Sequence, residues 1–375
     1  MNKQIVVAGA LAGVLFLMWL TRTPTSNSSS TTVATPACEP CPTIPKHNQH
    51  EHSKHEHNKD EHNKHKQGHK NKQGHKHKQG HEQSPWGSYS EAGCGDISRP
   101  ERGLAALAVD THGDEPGRRT VFMSKTEKPF KWVVSNAATD SNAKNVKALG
   151  FWDEPAVNSF IEVGMAKHPV VRGEEPPLFV DLGANLGFYT LWMLSSGYRT
   201  LSVEVQPELG TNLLASIGLN SGFADRARLY NHPIADECGQ VFDINFNSAN
   251  SGATNIRDGA KGSGTVKSAP SVTLEALLAG LDVTFMKIDV EGFEAKVILS
   301  APEFFHSDRA PLYLVMELNV EWIGIPDLDA LYALLTDAGY KYCNEEGNVS
   351  PWVATAVGTG STTWWVKGEC QPLSF

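Results

Sequence analysis

Phe179-Val180-Asp181-Leu182-Gly183-Ala184-Asn185-Leu186-Gly187-Phe188-Tyr189-Thr190 is a short apolar run that stops at a carboxylate and two glycines, then turns into a helix-like pattern. Leu178 to Val180 suit a buried parallel strand. Gly183 permits a sharp turn out of it, and Gly187 lets a helix pack closely on the sheet. The glycine spacing is G-x-x-x-G with Asp181 two residues ahead of the first glycine, whereas a dinucleotide fingerprint needs G-x-G-x-x-G and the middle position here is Asn185. That spacing points away from nicotinamide or flavin and toward S-adenosylmethionine, which has no pyrophosphate to cradle and carries an amino group that a carboxylate can receive.

Outward from this segment, strands and helices alternate as in a mostly parallel α/β sheet. Strands are expected at 178–181, 200–205, 227–230, 283–289 and 312–318, with two last ones at 340–344 and 362–367. Helices are expected at 188–196, 207–219, 273–279, 293–300 and 327–338. Seven strands ending in a hairpin predict the class I, Rossmann-like methyltransferase core over 176–375. Residues 84–175 read as an extension or lid, with a hairpin over 120–135 and an amphipathic helix over 153–167.

Glu204 ends the second strand 23 residues after Asp181, about where an acid meets ribose hydroxyls in doubly wound nucleotide folds. Asp236 follows the third strand, where it could accept from an adenine amine or simply form a turn. In Phe285-Met286-Lys287-Ile288-Asp289-Val290-Glu291-Gly292-Phe293-Glu294, Asp289 and Glu291 stand two apart, so an extended strand would point them to one side. They could position or deprotonate an acceptor, hold a divalent metal together with Glu317, or, as Glu291 and Glu294, favour the positive end of the next helix. No residue is assigned as a metal ligand. The polar loop from Asn247 to Lys267 either closes over a cleft or is a surface insertion.

The amino-terminal part differs in kind. Ile5 to Leu20 carries no charge and spans roughly 24 Å as a helix, close to the thickness of a thin bilayer. Residues 1–22 therefore read as a signal anchor, with a cleaved signal peptide as the alternative, giving a single-pass type II membrane protein of the Golgi or endoplasmic reticulum lumen. Residues 23–83 form a stem without apolar periodicity: Ser, Thr and Pro first, then a His- and Lys-rich stretch holding eleven of the fifteen histidines, read as a disordered spacer or a metal-binding arm. Residues 1–83 carry a net charge of +5 and the rest −14, and so acidic a globular part excludes nucleic acid as a partner. Of six cysteines, Cys343 and Cys370 are the favoured disulfide across the terminal strands.

With both glycine-bearing segments in hand, the chain resembles the FkbM-type methyltransferases over about 150–367. The resemblance rests on 181–190, Glu204 to Glu208, Leu219-Asn220 and above all 287–294. It implies cofactor contacts at Asp181, Gly183, Asn185 and Glu204, with Gly187 in the same loop, and places Asp289 and Glu291 beside the transferring methyl. Val205-Gln206-Pro207 stands where the family has Pro-Asn-Pro, and Phe293 where a small residue or histidine is common. The resemblance implies O-methylation with S-adenosylmethionine. Combined with anchor and stem, the expected acceptor is a hydroxyl of a glycan in the secretory pathway. The alternatives are a lipid or small metabolite on the cytosolic side, or a non-catalytic, membrane-tethered metal-binding protein.

Overall fold

The computed structural model describes residues 119–135, 137–244 and 267–374. The expected anchor (1–22), the stem (23–83) and nearly all of the 247–267 loop lie outside the described residues. Two strands, β1 (Arg119–Met123) and β2 (Lys131–Ser135), make the antiparallel hairpin expected there. Two helices follow, α1 (Ser141–Leu149) and α2 (Pro155–Lys167). Helix α1 was not anticipated; its start is set by Asp140, whose carboxylate accepts from the Ala143 amide, and its end by Gly150 in the left-handed region. Helix α2 begins two residues later than expected because Pro155 fits the first turn, where no backbone donor is required.

The core then runs β3 (Leu178–Leu182), α3 (Phe188–Ser195), β4 (Arg199–Val203), α4 (Pro207–Leu219) and β5 (Ala227–Tyr230). A second hairpin, β6 (Val241–Ile244) with β7 (Lys267–Pro270), was not foreseen. After it come α5 (Leu274–Leu278), β8 (Phe285–Ile288), α6 (Glu294–Leu299), α7 (Pro302–His306), β9 (Tyr313–Leu318), α8 (Val320–Ile323), α9 (Ile325–Asp337), β10 (Lys341–Cys343) and β11 (Ser361–Val366). The main sheet has seven strands in the order β10-β11-β9-β8-β3-β4-β5. The five from β9 to β5 are parallel, and β11 pairs antiparallel to both β9 and β10.

Parallel strands need crossovers, so both faces are covered and β3 is buried along its whole length. Its period of two divides it between two cores. Leu178, Val180 and Leu182 face the layer of α5, α6, α7 and α9, whereas Phe179 faces α2, α3 and α4. The hairpin β1–β2 is fastened to α4: the Val133 amide donates to Ser216 Oγ at 2.9 Å, and Asn220 exchanges side-chain bonds with the backbone of Lys131 at 2.8 Å each. The expected Cys343–Cys370 disulfide is formed, closing the carboxyl terminus onto β10.

Candidate active site

The motif turn is shaped by two backbones that nearly touch. Gly183 has φ +81°, and a Cβ there would lie 1.8 Å from the carbonyl oxygen of Asp289. The Asp289 amide also donates to Leu182 O at 3.0 Å, tying the turn after β8 to the end of β3. Asn185, at the position a dinucleotide fold gives to glycine, is itself left-handed with φ +50°, a conformation Asn tolerates better than most residues. Gly187, φ +82°, caps α3. Its close neighbour is Leu213 of α4, so the close packing expected against the sheet is made against a helix instead.

Glu204 follows β4 and is 3% exposed. Its Oε2 accepts from the Asn185 amide at 2.7 Å and its Oε1 from the Gln206 amide at 2.8 Å, so it holds the glycine turn to the end of β4. Burial raises this carboxyl to about 7, although both amides work the other way. Asp181 points to the α3 side, where Oδ2 accepts from Thr190 Oγ1 at 2.6 Å. Its Oδ1 is buried and has no partner among the described residues. Burial raises the Asp181 carboxyl, against the opposing charge of Lys287. Asp236 stays exposed in the turn beyond the Ile234–Val272 bridge.

The shared-face reading of Asp289 and Glu291 needs correction. Strand β8 stops at Ile288, and Glu291 sits in a turn with φ +54°, so no strand alternation relates the two. Glu294 is buried and turns back on its own loop, accepting from the Val290 amide at 2.8 Å and from the Gly292 amide. It therefore neutralises donors at the start of α6, as the structural alternative held. Around this turn carboxylates crowd. Burial first, then Asp289, Glu317 and Glu294, raise Glu291 to about 8. Desolvation and the Asp289 charge hold Glu317, on β9, at about 7.

Four participants were not singled out from the sequence. Lys287 is 7% exposed, donates to Asp289 Oδ2 at 3.1 Å and lies 5.7 Å from the Tyr189 ring centre. Burial opposes its charge, but Asp289, Asp181 and Glu154 outweigh it and hold the ammonium above the ordinary lysine value. Glu154, just before α2, accepts from Trp152 Nε1 at 2.6 Å and Tyr189 Oη at 3.0 Å. A lysine inside the apolar run Phe285 to Ile288 was the one available signal, since a buried ammonium demands carboxylate partners. Nothing local could have paired Glu154 with Tyr189, 35 residues apart. Among the described residues no group of three His, Cys, Asp or Glu is placed to hold a metal.

Strand order, the antiparallel β11 beside β9, and the acid-bearing turns at the carboxyl ends of β3, β4 and β8 define a Rossmann-like methyltransferase fold. A family description, that of the methyltransferase FkbM domain, matches residues 181–342 of this chain. No curated protein matches. Among solved structures, a TehB-like SAM-dependent methyltransferase from Corynebacterium glutamicum is similar at 10% identity, covering 60% of this chain and 91% of that one, with a TM-score of 0.31. An O-methyltransferase from Bacillus cereus in complex with SAH covers 61% and 98% at 10% identity and a TM-score of 0.30. TYW2 from P. horikoshii in complex with MeSAdo covers 67% and 72% at 14% identity and 0.31. At these scores the likenesses add no weight to the strand order.

Proposed function

We propose that the chain is an S-adenosylmethionine-dependent O-methyltransferase acting on a hydroxyl of a glycan in the secretory pathway. The observation that carries the reading is the convergence of Asp289, Glu291 and Glu317 at the carboxyl ends of β8 and β9, within reach of the Gly183 turn that Asp289 touches. The residues fit the cofactor: Asp181 keeps a buried Oδ1 that has no partner among the described residues and is suited to an ammonium, and Gly183 lets the turns after β3 and β8 meet at the carboxyl end of the sheet. Each Glu204 oxygen has a lone pair beyond its backbone amide, and ribose hydroxyls can donate to these. Bound there, the cofactor supplies an electrophilic methyl on sulfonium.

An alcohol is a weak nucleophile, so this chain's part is to align the acceptor oxygen, exclude water and take its proton. Glu291, raised to about 8, is the proton acceptor, since a base is most effective when its pKa lies near the working pH. The Glu291 carboxylate would hold the proton released from the acceptor hydroxyl on methyl transfer. Lys287 holds the Asp289 carboxylate in place through its hydrogen bond to Oδ2, and Asp289 in turn orients the acceptor.

The secretory setting is supported by the Cys343–Cys370 disulfide, by the uncharged stretch Ile5 to Leu20 ahead of a core-less stem, and, more weakly because Pro351 follows it, by the Asn348-Val349-Ser350 sequon, whose asparagine is exposed. The test is transfer of labelled methyl from S-adenosylmethionine by the full chain to a panel of released glycans. Glu291→Gln should lower kcat by about 100-fold or more while S-adenosylhomocysteine still binds. Glu204→Ala should weaken that binding. Full activity in Glu291→Gln would remove its role as proton acceptor, and an unglycosylated Asn348 in cells together with methylated lipid would point to the cytosolic reading.

A further inference from the structure

Helices α2 and α3 both start at the catalytic end of the sheet: Glu154 before α2 meets Tyr189 in the first turn of α3. They descend side by side, and the tip of the β1–β2 hairpin closes over the space between them. That space is a cleft of about 360 Å³. Its walls continue the faces that begin at the catalytic end. On α2, Asn158 and Glu162 follow Glu154 at successive steps of four. On α3, Phe188 and Trp192 lie one turn apart, stacked with ring centres 5.7 Å apart, and the lining runs on to Ser196. From Phe188 to Ser196 the cleft extends about 12 Å.

Three features describe what this cleft takes. Asn158 Nδ2 donates to Trp152 O at 3.1 Å, but its Oδ1 is buried with no partner among the described residues, an acceptor suited to a ligand's donor. Trp192 is only partly buried and offers an aromatic surface to the apolar side of a ring. The charges balance, with Lys125 and Lys128 at the hairpin tip against Glu127 and Glu162, so neither a polyanion nor a polycation is selected. A neutral, hydroxyl-bearing, ring-containing chain answers all three.

We propose that the α2–α3 cleft is a subsite for a neutral oligosaccharide, holding the sugars that follow the residue to be methylated. It deepens the glycan O-methyltransferase reading and rests on it. The cleft is built largely by residues ahead of 181, outside the matched FkbM domain, so acceptor length would be read by the extension rather than by the catalytic core.

The test uses the full chain with neutral trisaccharides ending in galactose, mannose, fucose or xylose, each paired with its terminal monosaccharide. Binding is followed by saturation-transfer NMR, and methyl transfer is measured on the same panel. At least one trisaccharide should bind more tightly than its monosaccharide, by about 10-fold. Trp192→Ala should remove that preference. Glu162→Trp, which fills the cleft from an exposed position of α2, should do the same if the first variant fails to fold. S-Adenosylhomocysteine affinity should stay unchanged in both. Trisaccharide preference that survives Glu162→Trp, or no preference in the wild type, overturns the subsite. Cleft-dependent binding with no transfer to any member overturns the enzymatic reading while leaving the subsite standing.

Discussion

Replacing Gly183 by alanine tests the contact that brings the two acidic turns together. The new Cβ would lie 1.8 Å from Asp289 O, a backbone atom already tied through its own amide to Leu182. A non-glycine residue at φ +81° costs roughly 1–2 kcal/mol. The forced separation of the two turns adds roughly 1–3 kcal/mol, as overpacking does. The expected total is about 2–5 kcal/mol, a large share of the 5–15 kcal/mol typical of a folded domain. Gly222→Ala is the control, because Gly222 has φ +75° with nothing within 4 Å of the added carbon, and it should lose only the conformational part. Urea unfolding followed by tryptophan fluorescence gives both numbers, and calorimetry with S-adenosylhomocysteine reports whether the Asp181–Asp289 geometry survives. Equal losses in the two variants, with unchanged affinity, would refute the close-approach argument.

Lys287→Met should destabilise the chain by about 3–5 kcal/mol in urea unfolding, because Asp289 loses the ammonium it bonds and buried Asp181 loses the opposing charge that offsets its burial. Glu204 and Glu294, both raised to about 7 by burial, hold protons more tightly folded than unfolded. Their contribution is complete below about pH 4.5 and is lost as pH rises through about 7, so melting temperature should fall from pH 5 to pH 8 and the slope should flatten in Glu294→Gln. A rise across that window would show the sign to be wrong. Removing the Cys343–Cys370 bridge with a double serine variant opens a loop of 27 residues and should cost about 3–4 kcal/mol, read by thermal unfolding of the oxidised proteins.

What the sequence determined was local. The alternation of apolar runs with helical patterns from Leu178 onward, the glycines at 183 and 187, and the acids at 181, 204 and 289 specified a parallel sheet with its chemistry at the strand ends. Each rests on a periodicity or turn preference confined to a few residues. Strand ends were legible only to within a residue or two. That margin mattered at Glu291, where one turn separates a strand-face pair from the observed geometry. Helix α1 and the β6–β7 hairpin escaped because elements this short take their stability from the surfaces they pack on. Tertiary structure alone decided that Asp289 O would press on Gly183, that Lys287 would sit near Asp181 and Glu154, and that Asn158 Oδ1 would have no partner among the described residues. Such juxtapositions join residues more than a hundred positions apart, and their energy comes from burial and charge in a shared interior that no local pattern encodes.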